Sequence, residues 1–155
     1  MRVSDLQTIL DLEAIKRLKA KYFRTVDTHD MDGFASCFTE DAVLEFDFAP
    51  PAAGPENQNS LKLDGREALL EFWGSTFSTA RSVHHGHMPE IDILSDSEAR
   101  GIWAMEDIID YPDSTIRGYG HYHETYRKIA GEWFISSLHL TRLRMSQHVK
   151  DRMFL

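Results

Sequence analysis

The sequence predicts an α+β domain in which helices pack on one face of a curved, mostly antiparallel sheet. Helical periodicity is confined to the first half of the chain, where only one strand-like run interrupts it. From residue 83 onwards, four segments alternate between apolar and polar residues and are separated by the turn sequences SDSE, YPDS and AGE. Helices followed by a long antiparallel meander are typical of α+β folds. A curved sheet closed by helices forms a cone, which is either filled by side chains or contains a pocket.

The first half of the chain predicts three helices. Apolar residues recur at helical spacing over residues 4–27, where Ser4 is a suitable N-cap. Residues 30–38, within DMDGFASCFTED, predict a short second helix, and residues 65–79 predict a third. The side chains expected to face the core from the second and third helices are Phe34, Cys37, Phe38, Leu69, Leu70, Trp73 and Phe77.

Strand-like alternation begins before the third helix and dominates the second half. Residues 42–48 alternate as a first strand. The segment 49–60, which is rich in Pro, Ala and Asn, then predicts a surface loop or a lid. The later strands are predicted at residues 83–94, 98–111, 116–129 and 132–145.

Length, charge and composition restrict the class of protein. The 155 residues, 42% hydrophobic and 27% charged, predict a single domain over 1–155 with a substantial core. The 17 basic and 25 acidic residues give a net charge of −8, which argues against a nucleic-acid or anionic-membrane surface. No segment is apolar enough for a membrane helix and no signal peptide is recognisable, so we expect a cytoplasmic protein. The lone Cys37 excludes an intrachain disulfide and a cysteine-based zinc site.

Three histidines lie close together in VHHGHMPEIDI, just before a strand-like alternation. Neighbouring side chains of a strand point to opposite faces, so His84, His85 and His87 cannot all bind one ion. HYH at 121–123 places the two imidazoles on one face of a strand. In the cupin metal motif a glutamate follows such a histidine pair several residues later, whereas here Glu124 follows directly. The sequence also lacks a helical His-x-x-x-His. We therefore expect no metal site. The histidines of this segment then include either a general base or only polar residues at the rim of a pocket.

The predicted strand GIWAMEDIID carries a carboxylate on each face. One face has Asp107 with Trp103 and Met105, and the other has Glu106. Both faces are largely apolar, so we expect this strand to be covered on both sides. A buried carboxylate is costly unless it is paired or functional, and the pattern favours neither explanation. The arginines considered as ion-pair partners are Arg100, Arg117 and Arg127.

Tyr22 and Asp27 lie in KYFRTVDTHD, at the end of the first predicted helix. An acidic residue is unfavourable near a helix C-terminus because of the helix dipole. Periodicity alone favours the simpler interpretation, in which Asp27 begins the turn into the second helix. A carboxylate that contacts an imidazole can also orient a general-base histidine and fix its tautomer.

Several segments resemble one known family over nearly the whole chain, from about Leu12 to Arg144. They are LEAIKRLKAKYFRTVD, FTEDAV, HHGHMPEI, GIWAMED and YHETYRKIAGEWFISSLHLTR. These segments resemble the SnoaL-like branch of the nuclear transport factor 2-like superfamily. Within it they are most similar to the dehydratase group of bile-acid dehydratase, scytalone dehydratase and hexachlorocyclohexane dehydrochlorinase. The resemblance implies a cystatin-like cone, with helices packed on a strongly curved and mostly antiparallel sheet.

The resemblance implies four catalytic residues. His84, in HHG, falls on the catalytic histidine of the dehydratase group, and Asp27 falls on the aspartate paired with it. Tyr22 falls on a pocket tyrosine, and Asp107 on a further aspartate of the bile-acid enzyme. On this assignment His85 faces away from the pocket, whereas His87 lies at its rim.

The implied function is the elimination of water from a hydroxy-carbonyl compound. His84, oriented by Asp27, would transfer the protons, while Tyr22 and a protonated Asp107 would hydrogen-bond the carbonyl as enolate charge develops. We expect no metal or organic cofactor, because the substrate carbonyl accepts the electrons. The expected partner is a small hydrophobic molecule, steroid- or polyketide-like. The residues expected to bind it are Phe46, Phe72, Trp103, Met105, Tyr122 and His87, with Phe77 as a further wall residue.

Other functions are compatible with the same fold. A non-catalytic binding protein would not need Asp27 within hydrogen-bond distance of His84. A polyketide cyclase would use an aspartate as the base without the histidine. Ketosteroid isomerases carry their base at the position of Phe46, and Asp47 points to the other face, so isomerisation by that route is disfavoured. The resemblance also implies a homo-oligomer, either a trimer or a dimer.

Overall fold

The computed structural model describes residues 3–53, 59–76 and 79–149, and it has the predicted α+β architecture. Three helices pack against one face of a six-stranded sheet and share a single hydrophobic core with it. The helices are α1 (Val3–Asp27), α2 (Met31–Ala35) and α3 (Arg66–Thr76). The strands are β1 (Phe38–Asp47), β2 (Ser60–Asp64), β3 (Arg81–Ile93), β4 (Glu98–Asp110), β5 (Ser114–Ile129) and β6 (Glu132–Val149).

The four strands predicted after α3 form a continuous antiparallel meander. The strand order is β2-β1-β6-β5-β4-β3, and β1 runs parallel to β6 whereas the other described neighbours are antiparallel. Register shifts interrupt the β1–β6, β3–β4 and β5–β6 ladders. Irregularities of this kind bend strands and increase their twist, which gives the sheet its curvature. The predicted fold class is therefore confirmed.

The second helix is shorter than predicted. It ends at Ala35 instead of residue 38, and Phe38 already begins β1. The Asp30 side chain caps the helix by accepting a hydrogen bond from the Gly33 N–H at 2.9 Å. Cys37 and Phe38 are buried, as expected, although they lie outside the helix.

The edge strand β2 was not predicted. It begins at the last residue of the predicted loop and pairs antiparallel with β1, where Leu63 lies opposite Leu44. Its five residues contain only two leucines in alternation, which is too short a pattern to distinguish a strand from a loop. The end of the predicted third helix, including Phe77, falls outside the described residues.

The two faces of β4 differ in burial. On the inner face Trp103, Met105 and Asp107 are buried. On the outer face Ile102 is 37% exposed and Glu106 is half-buried, so the described residues cover this face only in part. The expectation that both faces are covered was therefore wrong for the described chain, because isolated apolar side chains are tolerated on a surface.

α1 covers the inner face of the sheet. Its buried side chains Ile15, Tyr22 and Val26 recur at helical spacing. Gly86 of β3 allows a close approach, since a Cβ at this position would lie 2.6 Å from Cε2 of Phe23 on α1. None of the described helices combines the length and apolar character that a membrane crossing requires.

Lys19 of α1 forms a fully buried ion pair with Glu124 of β5, with 2.5 Å between Nζ and Oε1. Burial lowers the pKa of Lys19, and the charge of Glu124 opposes this shift. The Nζ atom also lies 3.9 Å from the ring centroid of Tyr22 and 3.6 Å from that of Tyr122, within range for cation–π attraction. Glu124 accepts a second hydrogen bond from the Tyr126 hydroxyl at 2.5 Å. The ion pair thus connects α1 to the centre of the sheet beside two tyrosines.

We predict that Lys19→Met lowers the free energy of unfolding by about 3–5 kcal/mol, because it leaves Glu124 as a buried, unpaired charge. The double variant Lys19→Met/Glu124→Gln removes both charges and should lose less stability than Lys19→Met alone. Chemical denaturation at neutral pH measures both losses. The control is Lys16→Met on the same helix, where the exposed pair of Lys16 with Glu13 is worth less than about 1 kcal/mol. Equal losses in Lys19→Met and Lys16→Met would contradict the prediction.

Candidate active site

The His84 imidazole and the Asp27 carboxylate form a hydrogen-bonded pair between α1 and β3. His84 Nδ1 lies 2.7 Å from Asp27 Oδ1, a distance suited to an oriented base. Because a carboxylate only accepts hydrogen bonds, Nδ1 carries a proton in this contact, and the neutral tautomer that the contact selects has its lone pair on Nε2. His84 is 6% exposed and lines a cavity, so Nε2 is the nitrogen available to a molecule in that cavity.

Asp27 is the last residue of α1, where the helix dipole disfavours a carboxylate. Three donors offset this effect. Ser82 Oγ donates to Oδ1 at 2.9 Å, the His84 backbone N–H donates to Oδ2 at 2.8 Å, and His84 Nδ1 is the third donor. Ser82 was not among the predicted site residues. The signal that could have identified it is its position two residues before His84, on the same face of the strand.

A cavity of about 260 Å³ lies between the helices and the inner face of the sheet. Its walls are mainly aromatic and aliphatic. The predicted site residues that line it are Tyr22, His84, Asp107, Phe46, Phe72 and Tyr122. The lining residues that were not predicted are Phe48, Trp73, Ile109, Tyr111, Ile116, Leu140, Arg142 and Met145.

Two buried phenols, those of Tyr22 and Tyr122, lie on the cavity wall with their rings 6.0 Å apart. Burial raises the pKa of Tyr22 far above its ordinary value, and the negative charge of Glu124 adds to the shift. Burial likewise raises the pKa of Tyr122. Both hydroxyls therefore stay protonated at physiological pH. The Tyr122 hydroxyl hydrogen-bonds to Tyr22, so Tyr22 is the phenol whose own proton can be donated into the cavity.

Asp107 forms a buried ion pair with Arg142, whose Nη2 lies 2.8 Å from Asp107 Oδ2. In this contact Asp107 accepts from the Arg142 guanidinium, a partner that the expected role of Asp107 as a donor to the substrate carbonyl did not include. The other oxygen, Oδ1, is buried and has no hydrogen-bond partner among the described residues. Asp107 therefore holds the positive charge of Arg142 at the cavity wall.

Arg142 was missed because it is distant from Asp107 in sequence. Asp107 pairs with none of the three arginines named from the sequence: Arg100 pairs with Asp92, Arg127 pairs with Asp41, and no ion pair of Arg117 is found among the described residues. Arg142 lies on β6 in phase with the buried Leu138 and Leu140. An arginine on the apolar face of a strand is the signal that could have identified it.

Gly118 allows Asp107 and Arg142 to meet. β5 lies between β4 and β6, and Gly118 of β5 is in register with Asp107. A Cβ at position 118 would lie 2.2 Å from Asp107 Oδ1 and 2.1 Å from Arg142 Nη1. The two side chains therefore occupy the space above the glycine and pair across the intervening strand.

Three predicted ligand-binding residues do not line the cavity. His87 is exposed on the outer face with its ring 6.0 Å from that of His85, because a separation of three residues puts it opposite His84. The expected rim position of His87 was therefore wrong. Trp103 and Met105 face inward but lie in the core. Trp103 Nε1 donates to the Tyr126 hydroxyl at 2.9 Å, and Met105 Sδ lies 3.7 Å from Nη1 of Arg142.

We predict that Gly118→Ala lowers the free energy of unfolding by about 1–3 kcal/mol, because the new methyl group overlaps the Asp107–Arg142 pair. Chemical denaturation measures the loss. Gly74→Ala is the control: nothing lies within 4 Å of a Cβ at this position of α3, and alanine favours a helix by up to about 1 kcal/mol. Unchanged stability in Gly118→Ala would mean that the pair moves without cost and does not depend on the glycine.

The sequence and the structure are similar to those of known proteins. "Probable cyclase FGR4" of Gibberella zeae is 27% identical over 137 residues, which are 83% of this chain and 89% of that protein. The crystal structure of "Putative Scytalone Dehydratase" from Novosphingobium aromaticivorans has a TM-score of 0.79 at 20% identity, over 94% of this chain and 92% of that chain. The hexachlorocyclohexane dehydrochlorinase LinA type 2 has a TM-score of 0.75 at 17% identity, over 97% and 96% of the two chains. At these identities the two structural similarities show a shared fold.

The family itself is shown by sequence. The SnoaL-like domain matches residues 7–139, from the first turns of α1 into β6. The matched region contains Tyr22, Asp27, His84 and Asp107. The chain belongs to the SnoaL-like domain family, a branch of the nuclear transport factor 2-like superfamily.

Proposed function

We propose that this protein is a cofactor-independent lyase that eliminates water from a hydroxy-carbonyl compound. The observation that carries the proposal is the Asp27–His84 pair on the wall of an apolar cavity. A protein that only binds a ligand has no need of a carboxylate that fixes the tautomer of a buried imidazole. Two proteins that share the fold bear the names of elimination enzymes, a dehydratase and a dehydrochlorinase, which supports the same reaction class.

In the proposed reaction, His84 Nε2 removes a proton from the carbon next to the substrate carbonyl. The electrons of the broken C–H bond form an enolate, with the charge on the carbonyl oxygen. The imidazolium, stabilised by Asp27, then protonates the hydroxyl group on the following carbon, and the C–O bond breaks to release water. The enolate electrons form the conjugated double bond. Since the removed proton leaves in the water, His84 returns to its starting state.

Neighbouring groups can stabilise the enolate. The protonated hydroxyl of Tyr22 is a donor on the cavity wall, and the Tyr122 hydroxyl hydrogen-bonds to it. Burial strengthens a hydrogen bond from this pair of phenols to a developing oxyanion. Arg142 adds positive charge at the same end of the cavity. Asp107 holds Arg142 in this position through their buried ion pair.

The cavity supports a compact substrate. Its volume of about 260 Å³ is below the ~300–1,000 Å³ typical of pockets that hold drug-sized ligands. Aromatic side chains such as Phe46, Phe72 and Trp73 form much of the wall. We therefore propose an apolar substrate of one or two rings that carries a carbonyl and a hydroxyl group, rather than a larger steroid-like compound.

A second candidate is intramolecular cyclisation, which the similarity to "Probable cyclase FGR4" favours. The first step is the same, because removal of a proton next to a carbonyl produces the nucleophile for ring closure. In a cyclisation the enolate carbon attacks a second carbonyl of the same molecule, and His84 returns the proton to the new alkoxide. The product then has the mass of the substrate, whereas elimination removes one water.

We predict that His84→Ala and Asp27→Asn each slow the reaction by about 10²–10⁴-fold. His84→Ala removes the base, and Asp27→Asn no longer fixes the tautomer of the His84 ring. Two sets of compounds are incubated with the protein in D₂O: one- and two-ring β-hydroxy ketones, which can lose water, and diketones of similar size, which can close a ring. NMR measures deuterium exchange next to the carbonyl, and mass spectrometry measures loss of water.

His121→Ala is the control, because His121 lies on the outer face of β5, away from the cavity, and this variant should keep full activity. Exchange with loss of water supports a lyase, and exchange with a product of unchanged mass supports the cyclase. Ligand binding in the cavity without exchange would identify a binding protein and contradict both reactions. Exchange that continues at the same rate in His84→Ala would exclude this histidine as the base.

We predict that Tyr22→Phe reduces kcat by about 10²-fold, the effect of one lost donor to an oxyanion. The ring stays in place, so the free energy of unfolding should change little. Steady-state kinetics should show a smaller change in KM than in kcat, since the donor acts mainly on the enolate. Tyr122→Phe is the matched variant for the second phenol. A normal kcat in both variants would contradict the assigned role of the tyrosines.

A further inference from the structure

Two histidines and a carboxylate that the proposed reaction does not use lie together on the outer face of the sheet. His85 and His87 point to this face of β3, and Glu106 of β4 is in register with His85. The candidate ligand atoms of the three side chains all lie within 4.8 Å of one another. Glu106 could not be recognised from the spacing of the histidines, because it comes from the neighbouring strand.

The three side chains are free to accept a ligand. Both histidines are exposed and Glu106 is half-buried. Within the described part of the chain, none of the three forms a hydrogen bond or an ion pair with another residue. Two imidazole nitrogens and a carboxylate oxygen are therefore presented together, without an internal partner for any of them.

We propose that His85, His87 and Glu106 bind one divalent transition-metal ion, with zinc as the best match. Imidazole and carboxylate ligands suit zinc, cobalt, nickel and copper, whereas calcium and magnesium prefer sets of oxygen ligands. Metal–ligand distances of about 2.0–2.2 Å in a tetrahedral site place the ligand atoms roughly 3.4 Å apart. Rotation of exposed side chains can supply the small inward movement that this requires. The fourth position would be taken by water.

The metal would join the edge strand to the rest of the sheet. β3 is the last strand of the described sheet and is hydrogen-bonded to β4 alone. Two ligands come from β3 and one comes from β4, so a bound ion cross-links the pair. His84 lies on the same strand but faces the cavity, and the metal site is thus separate from the proposed base.

A second cluster on the outer face provides a control within the molecule. Glu45, Asp47 and His139 also bring their ligand atoms within 4.8 Å of one another. However, His139 Nε2 lies 3.1 Å from Asp47 Oδ1, and Glu45 is paired with Lys62 at 3.3 Å. These groups already have partners, so a metal ion would have to displace them.

The test is a zinc titration of the full chain without an affinity tag, followed by calorimetry, with cobalt absorbance as a second probe of the coordination. The wild type should bind one equivalent of zinc. At saturating zinc, its Tm should rise by on the order of 5 °C, because the ion binds only the folded state. His87→Ala and the nearly isosteric Glu106→Gln should both lose this binding, whereas His139→Ala should retain it.

The proposal is overturned if the wild type shows no saturable binding up to millimolar zinc. It is also overturned if His87→Ala and Glu106→Gln bind zinc like the wild type, or if His139→Ala abolishes binding. Circular dichroism of each variant verifies its fold. None of these measurements depends on the reaction catalysed in the cavity.

Discussion

The carboxylate of Asp27 is the contact on which the rest of the site depends. It ends α1, and it accepts hydrogen bonds from Ser82, from the backbone of His84 and from the His84 ring. The same group therefore attaches the helix to the edge strand and fixes the tautomer of the imidazole. Any shift of α1 along β3 would therefore disturb the contact between helix and strand and the orientation of the His84 ring together. Tyr22 lies just over one turn earlier on the helix, so its position relative to His84 is set by the same contact.

Two neutral pairs of buried charges lie beside the cavity tyrosines. Lys19 pairs with Glu124 next to the rings of Tyr22 and Tyr122, and Arg142 pairs with Asp107 on the cavity wall. Burying opposite charges together costs less than burying either one alone. The cavity consequently has apolar walls and one polar end. Such an arrangement orients a ligand whose polar groups are clustered on one side, which is the geometry that a compact hydroxy-carbonyl compound presents.

Local patterns in the sequence predicted most of the fold, but they did not predict contacts between distant segments. Helical and strand periodicity identified α1, α3 and the four-stranded meander, because each is long enough for its pattern to be clear. The pairing of Asp27 with His84 came from family resemblance, since periodicity alone favoured a simple turn at Asp27. The pairing of Asp107 with Arg142 was not predictable from spacing, because it crosses a strand and requires Gly118 between the two side chains. The apolar pattern of β4 predicted a covered outer face. Among the described residues this face is only partly buried, because isolated apolar side chains are tolerated on a surface.

Elimination and cyclisation begin with the same proton transfer, so the base does not decide between them. A hydroxyl group on the carbon beyond the enolate leads to loss of water, whereas a carbonyl within bonding distance of the enolate carbon leads to ring closure. The second outcome requires a flexible chain that can fold back on itself, and such a chain needs space to do so. A cavity of about 260 Å³ with aromatic walls leaves little room for a folded chain beside the enolate. The size of the cavity, more than the identity of the catalytic groups, therefore favours elimination from a compact substrate.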